Sequence, residues 1–198
     1  MELKIAKLNK QRLLVSTSLV AILLSATSAV KAAENLDLTF SANIRETTCD
    51  IKIDGGTGDG TNNTIAIGAN GNTRVDTIAT GGAKENFKLV ITECPSSLTA
   101  LKTAVSGTVS DSLNTAIVNS VGTEAGGAAN VGLSIARSSA PDAPFVINST
   151  DDSKRLVWTP DEITAKEVGL VATMVETAAN QAATGSFRAI ATFNFSYE

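Results

Sequence analysis

The residue types that carry most enzyme chemistry are scarce in this chain of 198 residues, which contains no histidine and two cysteines, Cys49 and Cys94. Without histidine, Ser-His and Cys-His nucleophile pairs and histidine-containing zinc sites are excluded. Two pairs of neighbouring acids remain, Asp151-Asp152 and Asp161-Glu162, and paired carboxylates are what a glycosidase uses. Because no feature of the sequence predicts a cleft around them, we interpret them as turn and surface acids. We therefore expect no catalytic residues and no enzymatic activity.

A glycine-rich stretch over 54–63 is the other candidate site. Asp54, Asp59 and Asn62 bear oxygen ligands that suit calcium, but their spacing does not fit D-x-[DN]-x-[DN]-G. The glycines at 56, 58 and 60 do not form GxGxxG and follow no βαβ unit, which excludes that nucleotide-binding loop. The stretch is predicted to be a solvated loop that holds no metal ion and no cofactor.

The N-terminus has the three parts of an export signal. Four basic residues lie among the first 12 positions, an apolar stretch follows over 13–24, and Val30 and Ala32 fit the small residues before a signal-peptidase cut. We place cleavage after Ala32, with Ala33 as the alternative, so residues 1–32 form a signal peptide. A membrane anchor is the other interpretation, but the apolar run is shorter than the ~20 residues that span a bilayer. We expect an exported protein whose mature chain has no membrane span.

Because we expect export and removal of residues 1–32, the net charge and the two cysteines are interpreted for the mature chain in an oxidising compartment. The whole chain has a formal net charge of −4. Removal of the basic residues in 1–32 makes the remainder more acidic, so we exclude nucleic acid as a partner. Cys49 and Cys94 would meet an oxidising compartment, where an even pair usually forms a disulfide. A reactive or metal-binding thiol pair is the alternative, and the absence of histidine and of a CxxC motif disfavours it.

Apolar and polar residues alternate with a period of two over much of the remaining chain, as in strands with one buried face. The first such segment has its apolar residues at Leu36, Leu38, Phe40, Ala42 and Ile44. Further strands are predicted over 51–53, 64–67, 87–91, 101–109, 115–121, 131–137, 145–147, 156–158 and 168–175. Trp158 is expected in the core between two sheets. Because no helical repeat is sustained beyond one short turn near 96–102, the predicted fold class is all-β, a sandwich.

The last segment, over 185–198, is the most informative strand. One face carries Phe187, Ala189, Ala191, Phe193, Phe195 and Tyr197. Because the sequence ends directly after this segment, we expect its edge to be left without a covering strand. The first strand has the complementary property, since a free terminal strand can leave its own domain and pair elsewhere.

Four features of the sequence occur together in one protein family. An N-terminal strand ends at Cys49, and Cys94 follows within Ile91-Thr92-Glu93-Cys94-Pro95. A central segment reads Asn130-Val131-Gly132-Leu133-Ser134-Ile135, and the C-terminus has Gly185 at the fourteenth position from the end and Tyr197 at the penultimate one. With these features the chain resembles the subunits of chaperone-usher (type 1-like) fimbriae over almost its whole length.

The resemblance implies an incomplete immunoglobulin-like β-sandwich that lacks its last strand. In that family a periplasmic chaperone supplies the missing strand, and at the outer-membrane usher the N-terminal extension of the next subunit replaces it. The extension would be 33–48 and the pilin domain 49–198. Leu36, Leu38, Phe40, Ala42 and Ile44 would then be the donor face, with Ala42 standing where the family usually has glycine. The groove edge and chaperone-binding segment would comprise Gly185, Phe187, Ala189, Ala191, Phe193, Phe195 and Tyr197.

The same resemblance implies a structural role at the surface of a Gram-negative bacterium. The partners would be the chaperone, the usher and other pilus subunits, and the fibre would contribute to cell adhesion. The brevity of 33–48 favours a minor tip or adaptor subunit over a major rod subunit. The alternative is a self-contained secreted β-sandwich, such as a carbohydrate-binding module, which would fold without a chaperone.

Overall fold

The computed structural model describes residues 48–198. In this part of the chain ten strands and two short helices follow one another. They are β1 (Asp50–Asp54), β2 (Thr57–Gly58), β3 (Asn63–Thr64), α1 (Val75–Ala79), β4 (Lys84–Glu93), β5 (Leu101–Ser106), β6 (Ile117–Val118), β7 (Val131–Arg137), β8 (Leu156–Val157), α2 (Pro160–Ala165), β9 (Glu167–Glu176) and β10 (Thr192–Tyr197), with a 3-10 turn at Thr123–Ala125 between β6 and β7.

The main strands form two sheets with antiparallel pairing throughout. The larger sheet has the order β1-β4-β9-β7-β6, and the smaller one has the order β10-β5-β8. β2 and β3 form a separate ribbon of two residues each. The fold is therefore an all-β sandwich, which confirms the predicted fold class.

The core lies between the two sheets because each contributes one apolar face to it. β4 contributes Phe87, Leu89 and Ile91, and β9 contributes Val168, Leu170 and Ala172. β5 contributes Leu101 and Val105 from the opposite side. Trp158 is 3% exposed and donates its indole N–H to Thr103 Oγ1 at 3.0 Å. It is a core residue, as the sequence predicted.

Two predicted strands are wrong, and for the second the backbone hydrogen bonds show why. Over 64–67 only Thr64 lies in a strand. Over 145–147 no strand forms, because consecutive N–H groups bond to different neighbours: Phe145 to the carbonyl of Ile135, and Val146 to that of Lys154. Without a common neighbour these residues cannot form a ladder. Phe145 and Ile147 are buried all the same, whereas Val146, Ile65 and Ile67 are half-buried.

The sequence analysis predicted neither helix, because each is too short to show a helical repeat of apolar residues. α2 nevertheless carries a recognisable start signal: Thr159 accepts the backbone N–H of Glu162, the Glu162 side chain accepts the N–H of Thr159, and Pro160 follows the cap. The short turn expected near 96–102 is a single turn in which Leu98 N–H bonds to the carbonyl of Pro95. No helix within residues 48–198 has the length and hydrophobicity needed to cross a membrane.

Candidate functional site

β10 is an edge strand of the smaller sheet. It pairs with β5 in an unbroken antiparallel register that runs from Thr192 opposite Ser106 to Tyr197 opposite Leu101. β1 is likewise an edge strand of the larger sheet, since it pairs with β4 alone. Within residues 48–198, the outer edges of both strands therefore lack a neighbour.

The two edges lie on the same side of the sandwich. The Phe193 ring of β10 packs against the Phe87 ring of β4, with centroids 5.9 Å apart. At the other end of the strand, Tyr197 donates its hydroxyl to the backbone carbonyl of Cys49 at 3.3 Å, just before β1. We call the space bounded by β1 and β10 the groove.

Burial of the apolar side chains changes sharply from the sheet interior to the groove. β5 has a neighbour on each side, and its Leu101 and Val105 are at most 1% exposed. The apolar face of the C-terminal segment and the inward residues of β1 are all half-buried. These residues are Ile51, Ile53, Phe187, Ala189, Ala191, Phe193, Phe195 and Tyr197. Phe187 packs on a smaller cluster around Ile78 and Met174, and the other residues pack on the main core. A strand that lacks a neighbour on one side leaves its inward side chains with this partial cover.

A disulfide closes one end of the groove. Cys49 and Cys94 are bonded to each other, which confirms the predicted pair and excludes the free-thiol alternative. The bond ties the start of β1 to the end of β4 across 45 residues of chain. On the loop-entropy model such a closure stabilises the fold by about 4 kcal/mol.

The last residue of the chain is held by several donors. The backbone carbonyl of Glu198 accepts hydrogen bonds from the N–H groups of Thr99 at 2.7 Å and Ala100 at 3.0 Å, and from Thr99 Oγ1 at 2.6 Å. The Glu198 side chain pairs with Lys102 Nζ at 2.6 Å, which in turn lies 3.2 Å from Asp152. These two carboxylates raise the pKa of Lys102, and Glu198 is the larger cause. These contacts therefore hold the C-terminal end of the groove edge against the residues at the start of β5.

The upstream half of the C-terminal segment is attached differently from the downstream half. The sequence predicts one strand over 185–198, but the ladder with β5 covers Thr192–Tyr197 alone. Ser186 instead forms a parallel bridge with Gly127, and the carbonyl of Arg188 accepts the N–H of Ser120 at 2.7 Å. The segment therefore begins beside the loops next to β6 and crosses to the smaller sheet before β10.

Gly185 is required by a close approach of two backbones. A Cβ atom at this position would lie 2.4 Å from the backbone nitrogen of Ala128 and 2.5 Å from the carbonyl carbon of Gly127. Neither group is the end of a flexible side chain, so the clash could be relieved only by moving the main chain. The glycine singled out in the sequence therefore marks the point where the C-terminal segment meets the loop before β7.

Asn119 is a positioning residue that the sequence analysis missed. Its amide nitrogen donates to the carbonyls of Ser186 at 2.8 Å and Ala128 at 3.0 Å. Its amide oxygen accepts the N–H groups of Arg188 and Val121, each at 3.0 Å. An asparagine beside a short strand carries no special signal, because its four partners come together only in the folded chain.

The acids considered as candidate sites have structural roles. Asp59 Oδ1 accepts the backbone N–H groups of Thr61 and Asn62 at 2.8 and 2.7 Å, and these bonds lower its pKa. Asp152 pairs with Arg155, which is the largest cause of its lowered pKa. Glu162 caps α2 and pairs with Arg137. The interpretation as loop and surface acids agrees with the contacts of Asp59 and Asp152, whereas Glu162 is a half-buried residue of a helix.

The remaining predicted site residues lie outside the part of the chain that the structure describes. These are the proposed donor face, Leu36, Leu38, Phe40, Ala42 and Ile44, together with the signal peptide over 1–32.

Comparison with known proteins identifies the family to which this chain belongs. The family model described as "Fimbrial protein" matches residues 38–198. The chain is 32% identical over 172 residues to YadM of Escherichia coli strain K12, an uncharacterized fimbrial-like protein, and this match covers 84% of the chain and 88% of the relative. The crystal structure of the P pilus rod subunit PapA aligns with a TM-score of 0.52 at 15% identity, over 82% of this chain and all of PapA.

The chain belongs to the fimbrial protein family. The resemblance drawn from Cys49, Cys94 and the C-terminal Gly185 and Tyr197 is therefore confirmed. PapA shows that the fold is shared with a pilus subunit. The chain is a fimbrial subunit, a component of a surface appendage of Gram-negative bacteria.

Proposed function

We propose that the chain polymerises by donor-strand exchange. The groove between β1 and β10 accepts a strand, and the N-terminal extension over 33–48 supplies one to a neighbouring subunit through Leu36, Leu38, Phe40, Ala42 and Ile44. The observation that carries the proposal is the half-burial of the whole apolar face of the C-terminal segment, beside a β5 whose inward residues are buried. A donated strand would complete the ladder of β10 and cover these side chains together.

The family assignment extends this proposal to the partners and the route. The signal peptide over 1–32 directs export, a periplasmic chaperone covers the groove of the domain over 49–198, and an outer-membrane usher exchanges the chaperone for the next subunit. The finished fibre contributes to cell adhesion. Family membership and the half-buried β10 both favour this interpretation over a self-contained secreted binding module.

The position in the fibre is a separate proposal, which rests on the brevity of the extension over 33–48. We place the chain among minor tip or adaptor subunits. Quantitative mass spectrometry of sheared fibres tests this placement. A chain present at a small fraction of the most abundant subunit supports it, and a chain that is itself the most abundant subunit overturns it.

The strand-exchange proposal is tested by separating the donor from the acceptor. Leu38→Asp in the exported chain places a charge on the donor face and is expected to stop polymerisation while leaving the groove intact. Thr39→Asp is the matched control, because the alternation of the sequence predicts this residue on the opposite face of the donor strand. A synthetic peptide of residues 33–46, at about 100 times its Kd, should raise the Tm of the Leu38→Asp chain by about 5–10 °C.

Two results would overturn the proposal. One is a Leu38→Asp chain that polymerises as well as the Thr39→Asp chain, measured by size-exclusion chromatography. The other is a Tm that the peptide does not change, in a chain that is already as stable as complete sandwich domains.

A further inference from the structure

The backbone of β10 forms its hydrogen bonds to β5 through every second residue. Beyond the end of the strand, the Glu198 N–H donates to the Ala100 carbonyl and the Ala100 N–H donates to the Glu198 carbonyl, each at 3.0 Å. In an antiparallel ladder such doubly bonded pairs recur at every second residue. Because the register of β10 with β5 is unbroken, the even-numbered residues of β10 make the bonds to β5. Phe193, Phe195 and Tyr197 direct their N–H and carbonyl groups to the groove instead.

The upstream half of the C-terminal segment follows the same rule with a different neighbour. Ser186 forms a parallel bridge with Gly127. The Arg188 carbonyl accepts the N–H of Ser120 at 2.7 Å. The bonded residues are again even-numbered, so Phe187 between them directs its backbone groups to the groove.

Side-chain burial shows that this alternation continues without a break from one half to the other. From 186 to 197 every even-numbered residue is exposed and every odd-numbered residue is half-buried, as in one extended strand. Six residues therefore turn their backbone groups to the groove, and we call them the acceptor edge: Phe187, Ala189, Ala191, Phe193, Phe195 and Tyr197. At about 3.3 Å per residue this edge is about 33 Å long, about twice the length of β10.

The upstream part of the acceptor edge is free to pair. Within residues 48–198, Phe187, Ala189 and Ala191 make no backbone hydrogen bond. Their half-buried side chains lie on the same face as those of Phe193 and Phe195. A strand laid along the groove can therefore continue its ladder past the start of β10.

Asn119 holds the upstream half in this orientation. Its side-chain oxygen accepts the Arg188 N–H at 3.0 Å, and its side-chain nitrogen donates to the Ser186 carbonyl at 2.8 Å. A residue of a neighbouring parallel strand makes the same two bonds, to the residues before and after the one that it faces. Because both bonds lie on the side away from the groove, they turn the N–H and carbonyl of Phe187 toward it.

The side-chain amide of Asn119 is itself fixed by two further bonds. Its oxygen also accepts the Val121 N–H, and its nitrogen also donates to the Ala128 carbonyl, each at 3.0 Å. All four partners match one orientation of the amide, since a flipped amide would place donors against donors and acceptors against acceptors.

We propose that Asn119 is a positioning residue for strand uptake. By holding Ser186 and Arg188 it joins the upstream residues to β10, so that a donated strand pairs with the whole acceptor edge over 187–197. The inference rests on the proposed strand exchange and deepens it, because it states which backbone the donated strand bonds to.

Amide hydrogen exchange of the exported Leu38→Asp chain, with and without a saturating peptide of residues 33–46, tests the extent of the edge. We expect exchange to slow about tenfold or more at all six residues of the acceptor edge, because each N–H gains a partner. Slowing at Phe193, Phe195 and Tyr197 but not at Phe187 and Ala189 would overturn the inference and leave strand exchange standing. Slowing at none of the six would overturn both.

Shortened peptides test the role of Asn119. The peptides of residues 33–42 and 37–46 each lack four residues at one end, and one of them lacks the partner of the upstream half. That peptide should bind the Leu38→Asp chain about tenfold more weakly than the full peptide, by fluorescence anisotropy. When Asn119→Ala is added, the full peptide should itself bind about tenfold more weakly, and the same shortening should cost clearly less. Shortening at the other end should cost the same in both chains.

Asn194→Ala is the matched control, because it removes an asparagine side chain that bonds to Ser106 Oγ on the exposed face of β10. It should leave the affinity of the peptide and the cost of each shortening unchanged. If both shortenings cost as much in Asn119→Ala as in its parent chain, Asn119 does not position the edge and the proposal is overturned. A role limited to folding gives that result, and the protection of the β4 amides shows that each variant is folded.

Discussion

The hydroxyl of Tyr197 donates a hydrogen bond to the backbone carbonyl of Cys49 at 3.3 Å, across 148 residues of sequence. This bond joins the last strand of the smaller sheet to the start of the first strand of the larger one. Cys49 is in turn held by its disulfide to Cys94. Both edges of the groove are therefore fixed relative to each other at one end, while their outer sides lack a neighbour within residues 48–198.

Tyr197→Phe is expected to lower the free energy of unfolding by about 1 kcal/mol, because it removes this hydrogen bond and keeps the ring on the core. Urea denaturation of the exported chain measures the change. Ser196→Ala, on the exposed face of the same strand, should change stability by less than about 0.5 kcal/mol. Equal effects of the two substitutions would show that the hydroxyl does not secure the strand.

Gly185→Ala is expected to destabilise the chain by about 2 kcal/mol or more, since the new methyl group would meet the backbone at Gly127 and Ala128. Gly122→Ala is the control: a Cβ atom there meets nothing within 4 Å. The comparison uses thermal unfolding of both variants. If Gly185→Ala is as stable as Gly122→Ala, the close approach does not constrain the C-terminal segment.

Asn119→Ala is expected to loosen the upstream half of the C-terminal segment selectively. The change leaves the Arg188 N–H and the Ser186 carbonyl each without their side-chain partner. Amide hydrogen exchange should accelerate at Arg188, while the core amides of β4 keep their protection. Uniform acceleration across all strands would instead indicate global destabilisation and would contradict a local role.

The ion pairs around Lys102 predict how the attachment of the C-terminus depends on pH. The pKa of Asp152 is lowered from its ordinary value of 3.8, by Arg155 most and then by Lys102. Its contribution to stability is therefore present above pH 3.8 and is lost as the pH falls through the lowered pKa. The pKa of Lys102 is raised from 10.5, so its contribution is present below pH 10.5 and is lost as the pH rises through the raised pKa.

Lys102→Met isolates this contribution. The difference in urea midpoint between the wild-type chain and Lys102→Met should be constant from about pH 5 to 9 and should shrink below pH 3.8. Because the carboxylates are exposed, added salt should reduce the difference as well. A difference that does not vary with pH or salt would mean that Lys102 acts through packing of its alkyl chain.

Alternation of apolar and polar residues was enough to predict the long strands. The alternation at 131–137 coincides with β7, and those at 87–91 and 168–175 fall within β4 and β9. A period of two is a local property, set by the pleat of each strand and by which side chains are buried. The pairing of Cys49 with Cys94 needed no more than their number and an oxidising compartment.

The partners of each strand were decided by the tertiary structure. The C-terminal segment reads as one strand, yet Ser186 bonds to Gly127 and Phe195 pairs with Thr103 of the other sheet. The role of Asn119 likewise depends on contacts between residues far apart in sequence. The sequence by itself determined the fold class, the family and the apolar face of the last strand, because these follow from local patterns. Only the folded chain determined what lies beside each strand, because register between distant segments is set by the packing of the whole core.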